Sequence, residues 1–114
     1  MKVGLVGAGA WGTSLAHLLA AKGQDVKLWA FEPETADQIN SDRENRTYLP
    51  GVKLDRRLWA SSDLGQVVSG ARVVVMVTPS HHLRAVAGRL AENLSPQALI
   101  VTASKGIEEQ SLLT

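Results

Sequence analysis

Gly7, Gly9 and Gly12 follow a short apolar run (Val3, Leu5, Val6) and lead straight into an alanine- and leucine-rich stretch. Set between a strand and a helix, the spacing G-x-G-x-x-G lets a backbone close around a pyrophosphate. Gly7 allows a tight exit from the strand, Gly9 presents no side chain to a phosphate, and Gly12 lets the helix pack close. The helix start offers unpaired N–H groups and the positive end of its dipole. A tight turn without a ligand would have no need of Gly9. Glu32 stands 20 positions beyond Gly12, where a carboxylate can accept the ribose hydroxyls of a dinucleotide. It would repel a 2′-phosphate, which favours NAD over NADP. An acidic residue also suits a helix start with no ligand, and Lys27 or Arg43 could still approach a phosphate.

Thr78-Pro79-Ser80 and Ser104-Lys105-Gly106 end two further apolar runs. Parallel strands place such ends on one edge of a sheet, so Pro79 could line the same crevice as the glycine loop. Lys105 could meet a phosphate or polarise a carbonyl there, or be a surface lysine in a turn. His81 and His82 start a helix beside that edge, and either could act as acid or base. Adjacent helical residues cannot both face one site, however. Neither has metal-ligand spacing with a third ligand, so no metal is expected. Arg43, Arg46, Arg56 and Arg57 could face an anion, although a solvated charged face is the commoner role. No phosphate-loop Gly-Lys-Ser/Thr ending and no G-x-S-x-G turn is present, which removes kinase-like and hydrolase chemistry.

The elements that must position these residues alternate. A strand at residues 2–6 precedes a helix from Thr13 to about Lys22, stopped by Gly23. Asp25 to Ala30 reads as a second strand, and Pro33 opens a short helix to Ile39. Asn40 to Trp59 is charged and irregular, with a Pro50-Gly51 turn and with Tyr48 and Leu49 as expected anchors. Trp59 and Ala60 suggest a third strand. Ser61-Ser62-Asp63 is a cap signal before a short helix over 64–68, and Val73 to Val77 forms an apolar run, β-branched but for Met76, suited to a central parallel strand. A helix carrying Leu83, Val86, Leu90 and Leu94 and a strand at 99–103 follow. Right-handed crossovers then make an α/β, Rossmann-type doubly wound parallel sheet.

The 114 residues hold one domain, with 45% hydrophobic and 20% charged residues and a net charge of +1. That balance argues against disorder and against a nucleic-acid partner. Cysteine is absent, so disulfides and thiolate chemistry are excluded. No apolar run approaches the roughly 20 residues that span a bilayer, so membrane insertion is not expected and a cytoplasmic location is. Dinucleotide domains often reach about 150 residues and work beside a substrate domain. Residues 1–114 therefore read as an incomplete dinucleotide-binding domain.

Taken together, GAGAWGTSLA at 7–16, VKLWAFEPE at 26–34, NRTYLPG at 45–51, VTPSHHLRAV at 77–86 and ASKGIE at 103–108 resemble the N-terminal half of the NAD(P)-dependent glycerol-3-phosphate dehydrogenases. That family reduces dihydroxyacetone phosphate to sn-glycerol 3-phosphate for glycerophospholipid synthesis. The resemblance implies that Gly9, Ala10, Trp11 and Gly12 hold the cofactor pyrophosphate, that Phe31 lies beside the adenine, and that Tyr48 borders the cofactor. It implies that Lys105 touches both the nicotinamide end and the substrate. Trp11 could instead only pack the helix start, and Phe31 could be a core aromatic. The family often has serine at position 10, proline at 55 and an apolar residue at 78, where this chain has Ala10, Asp55 and Thr78. Its acid/base lysine lies in a C-terminal helical domain, so no catalytic residue is expected within these 114 residues. A homodimer is left open for the full-length form. Two other functions remain: a non-catalytic NAD-binding regulatory module, and a two-domain dehydrogenase for another small substrate.

The 114-residue chain is expected to show no reduction of dihydroxyacetone phosphate by NADH. Detectable turnover in a spectrophotometric assay would overturn that expectation.

Overall fold

The apolar runs of the sequence become strands of one sheet, and the two central ones are buried on both of their faces. A computed structural model describes residues 1–77, 88 and 97–102. In chain order the elements are β1 (Lys2–Val6), α1 (Ala10–Ala21), β2 (Asp25–Trp29), α2 (Pro33–Asp42), β3 (Leu58–Ser61), α3 (Leu64–Val68), β4 (Val73–Met76) and β5 (Leu99–Thr102). The five strands are parallel and lie in the order β3-β2-β1-β4-β5. Of the helix expected over 83–94 only residue 88 is described, and the tail beyond Thr102 lies outside the described residues.

Alternating side chains feed two cores. Val3, Leu5, Val26, Leu28 and Val75 pack with Ala16, Ala20 and Ile39 of α1 and α2. On the other face Val6, Trp29, Val74 and Met76 pack with Leu64, Val67 and Val68 of α3. Full burial of such side chains is worth about 1.5–3 kcal/mol each, which is why both faces need cover. The buried residues of α1 are Gly12, Thr13, Ala16 and Ala20, all small. They bring the helix axis close to the sheet. The five-residue α3 is too short to persist alone, and it is held by the side chain of Asp63, which accepts from the N–H groups of Gly65 and Gln66. Of the expected Ser61-Ser62-Asp63 signal, Asp63 is the residue that caps.

β2 and β4 each stop one residue short of expectation, at Trp29 and Met76, and three other elements differ as well. The first helix begins at Ala10, not Thr13, because Gly9 is extended (φ −71°, ψ −173°) and the chain turns helical directly after it. The second runs to Asp42, beyond Ile39, and ends where Arg43 takes a left-handed conformation (φ 57°). There its guanidinium donates to the carbonyl oxygens of Asn40, Asp55, Arg56 and Leu58. Lastly, β3 extends to Leu58 and Ser61 on either side of the expected pair. Ala60 in that strand exchanges two hydrogen bonds with the Asn40 side-chain amide, at 2.7 and 2.8 Å.

The long loop after α2 is anchored differently from the reading of its aromatic residue. Tyr48 is exposed and Leu49 only half-buried, whereas Asn45 and Leu54 are buried. Tyr48 therefore does not anchor the loop by burial in the body.

Gly4 has a packing reason that its place in a strand does not advertise. A Cβ there would sit 2.9 Å from the carbonyl oxygen of Val67, at the end of α3. Overpacking against backbone costs about 1–3 kcal/mol. Gly4→Ala is expected to lower the thermal midpoint by about 4 °C or more in a circular-dichroism melt. An unchanged midpoint would show that α3 moves aside freely.

Candidate functional site

The strand order reverses beside β1: the chain moves outward through β2 and β3, then returns to place β4 on the other side. Open α/β sheets bind ligands at the carboxyl ends of the strands, at such a switch point. Register brings those ends level, with Val6 opposite both Trp29 and Met76, and Trp29 opposite Ser61. Everything that follows β1 and β2 therefore meets on one edge.

The glycine loop sits there, and its glycines divide their work. Gly7 has φ 127°, which a side chain would strain. A Cβ on Gly12 would run into the Gly7 carbonyl oxygen, so that glycine is required by the fold itself. Among the described residues, a Cβ on Gly9 would meet nothing within 4 Å. Gly9 is thus spare as far as packing goes, and the space beside it fits a group that approaches the backbone. The helix start is equally free. Thr13 N–H donates to Gly9 O at 2.9 Å, while α1 has no side-chain cap and no acidic residue in its first turn. The N–H groups of Ala10, Trp11 and Gly12 have no intrahelical acceptor. Asp63 fills this role at α3, whereas the N-cap residue here is a glycine with no side chain to do so.

The end of β2 supplies a second set of groups. Phe31 is 73% exposed, with its ring edge-on to Trp29 at 6.0 Å, so it is not a core aromatic. Trp11 and Tyr48 are also exposed, and Trp29 is the only buried aromatic. Glu32 is the N-cap residue of α2, yet its side chain does not cap that helix. Its Oε2 instead accepts from the Tyr48 hydroxyl at 3.1 Å. That hydrogen bond, with the charge of Glu32, raises the Tyr48 phenol above its ordinary value. The protonated phenol is the favoured folded form, so the bond persists through neutral pH and is lost as pH rises through the raised value.

Among the described residues, the lysine and arginines singled out by the sequence are engaged elsewhere or exposed. Lys27 lies over the Trp59 ring, 5.7 Å from its centroid. Arg43 is spent on four carbonyl oxygens. Arg46 pairs with Asp42 and Glu44, and Arg57 donates to Ala20 O. Arg56 is exposed. The solvated-face role holds for the group, with Arg43 as a structural tie.

One participant escaped the sequence reading. Asn45 is fully buried, and its Nδ2 donates to Ala8 O and to Thr13 Oγ1, both at 2.9 Å. Thr13 Oγ1 also donates to Ala8 O, at 3.2 Å. The only signal was local: an asparagine three residues before an aromatic in a turn-rich stretch can bond its own backbone, as Tyr48 N–H to Asn45 Oδ1 does here. Pro79, His81, His82 and Lys105 lie outside the described residues. Among the described residues no group of three or more His, Cys, Asp or Glu could hold a metal. Among them, too, no helix is long and apolar enough to cross a membrane.

A family model described as NAD-dependent glycerol-3-phosphate dehydrogenase N-terminus matches residues 2–114. A curated glycerol-3-phosphate dehydrogenase (NAD(P)+) of Syntrophobacter fumaroxidans is 49% identical over 112 residues, covering 98% of this chain and 33% of that protein. A solved glycerol-3-phosphate dehydrogenase of Coxiella burnetii superposes with TM-score 0.85 at 33% identity, over 90% of this chain and 32% of its own. One from Saccharomyces cerevisiae gives 0.86 at 27% identity, over 92% and 33%. The chain spans about a third of the length of the curated relatives it matches.

The two glycines of α1's approach should separate on substitution. Gly9→Ala is expected to keep the thermal midpoint while weakening binding of ADP, a pyrophosphate-bearing probe. Gly12→Ala is expected to lower the midpoint by several degrees, about 1–3 kcal/mol of overpacking. Equal loss of stability in both, by thermal melts beside calorimetry, would remove the distinction.

Proposed function

The chain belongs to the NAD-dependent glycerol-3-phosphate dehydrogenase N-terminal family, and from that premise we propose that it is the cofactor-binding part of an enzyme that reduces dihydroxyacetone phosphate to sn-glycerol 3-phosphate. The observation that carries this is the open space at Gly9 beside an uncapped α1, level with the Glu32 carboxylate. Gly7, Gly9, Ala10, Trp11 and Gly12 would cradle the pyrophosphate, chiefly through backbone N–H groups, since Ala10 brings no hydroxyl. Phe31, exposed beside Glu32, would flank the adenine. Pro79 would line the crevice, and Lys105 would serve both the nicotinamide end and the substrate. The bound dinucleotide supplies the hydride; this chain binds and orients it. The full-length enzyme then works in the cytoplasm on small phosphorylated three-carbon substrates, with a homodimer as its open assembly.

The carboxylate also bears on cofactor choice. Glu32 holds one donor, the Tyr48 hydroxyl, and leaves its other acceptor capacity for ribose hydroxyls. A 2′-phosphate would meet like charge, and Lys27 and Arg43 are both committed elsewhere. Two unit charges about 4 Å apart repel by about 1 kcal/mol in water and more near a protein surface. About 1 kcal/mol is roughly fivefold in affinity and about 1.4 kcal/mol is tenfold, a level that the stronger repulsion near a protein surface exceeds.

Calorimetric titration of the chain is therefore expected to show NADH binding at least about tenfold tighter than NADPH. Glu32→Gln should narrow the ratio. A preference for NADPH would overturn the choice of NAD, and failure of both to bind would overturn the cofactor-binding function.

A further inference from the structure

Asn45 lies in the loop after α2, far from α1 in sequence, yet it touches both ends of the site. Its two amide hydrogens go to Ala8 O and Thr13 Oγ1, and its Oδ1 accepts from Tyr48 N–H at 3.3 Å. Its backbone carbonyl accepts from Leu49 N–H at 2.7 Å. No exposed surface remains to it. The amide orientation is fixed by these partners, because a flip would set Oδ1 against Ala8 O and Nδ2 against the Tyr48 N–H. Losing such bonds in a buried place is costly.

The consequence at the pyrophosphate end follows from peptide geometry. In a planar trans peptide the C=O and the next N–H point in opposite directions, and the described peptide bonds include no cis bond. Ala8 O is drawn inward by Asn45 and Thr13. The Gly9 N–H of the same peptide therefore points away from them. At the other end, Asn45 holds the backbone of Tyr48, whose hydroxyl bonds Glu32.

We propose that Asn45 is a positioning residue for the dinucleotide, clamping the Ala8–Gly9 peptide at the pyrophosphate end and Tyr48 at the ribose end so that the two are set together. The proposal rests on the cofactor-binding function above. Thr13 serves only the first branch. Asn45 serves both.

The test uses the full 114-residue chain, whose only tyrosine is Tyr48, so near-ultraviolet phenolate absorbance reports that residue alone. In the unaltered chain the phenol ionises above the ordinary value of 10.0. Asn45→Ala is expected to return it toward that value and to weaken ADP binding by calorimetry about tenfold or more. Thr13→Val is expected to weaken ADP binding but to leave the tyrosine titration in place. Asn45→Ala with native circular dichroism, an unmoved titration and unmoved ADP affinity would overturn the clamp. If Asn45→Ala does not fold, Asn45→Ser replaces it, and an unmoved tyrosine titration together with unmoved ADP affinity in that variant overturns the clamp. Should ADP fail to bind the unaltered chain, the cofactor-binding function falls with the pyrophosphate branch, and the Tyr48 titration still decides the other branch.

Discussion

The turn from β1 into α1 closes because Gly12 brings a bare Cα against the Gly7 carbonyl oxygen. Nothing larger fits there, and most of the molecule's layout depends on that approach. It lowers α1 onto the sheet, where the next residue, Thr13, is fully buried. It puts the uncapped first turn over the point where the strand order reverses. It also draws the Ala8 carbonyl inward, where it must find donors because a buried carbonyl without them is costly. The site is thus the outer side of a packing problem solved on the inner side.

The same shortage of partners at a helix start is resolved in two ways within 60 residues. At α3 the Asp63 side chain meets the free N–H groups, and the helix is a finished structural part that rests on Gly4. At α1 no side chain does so, and a small residue stands where a cap would be. A protein selected only for stability would fill both, since a cap is worth about 1 kcal/mol. Without a side-chain cap, the first N–H groups of α1 keep their capacity to donate.

Much of this was readable in advance where one residue type answers to one local demand. The glycine spacing, the Asp63 cap and the β-branched run of β4 each announce an element through backbone or side-chain sterics. Glu32 was legible by distance from the glycines, though its bond to Tyr48 was not. What stayed hidden were groups whose role depends on distant chain. Asn45 and Arg43 sit in a charged stretch that reads as solvated, yet one is fully buried between Ala8 and Thr13, and the other gathers carbonyl groups across a loop. Polar residues in loops look alike in sequence. Only the fold reveals which of them are inside. Gly4 is the apolar counterpart: its need comes from Val67, more than 60 positions away.

The clasp between the Asn40 amide and Ala60 has a reach beyond the domain's own stability. β3 is an outer strand of the sheet, and Ala60 lies near its middle. Its N–H and C=O are the groups another chain would use to add a further strand. Because a side chain already imitates that neighbour, with one donor and one acceptor in place, a second molecule must break two bonds before it can pair. The amide of Asn40 thus acts as a guard against runaway sheet growth, on the side of the molecule that the ligand crevice leaves unattended.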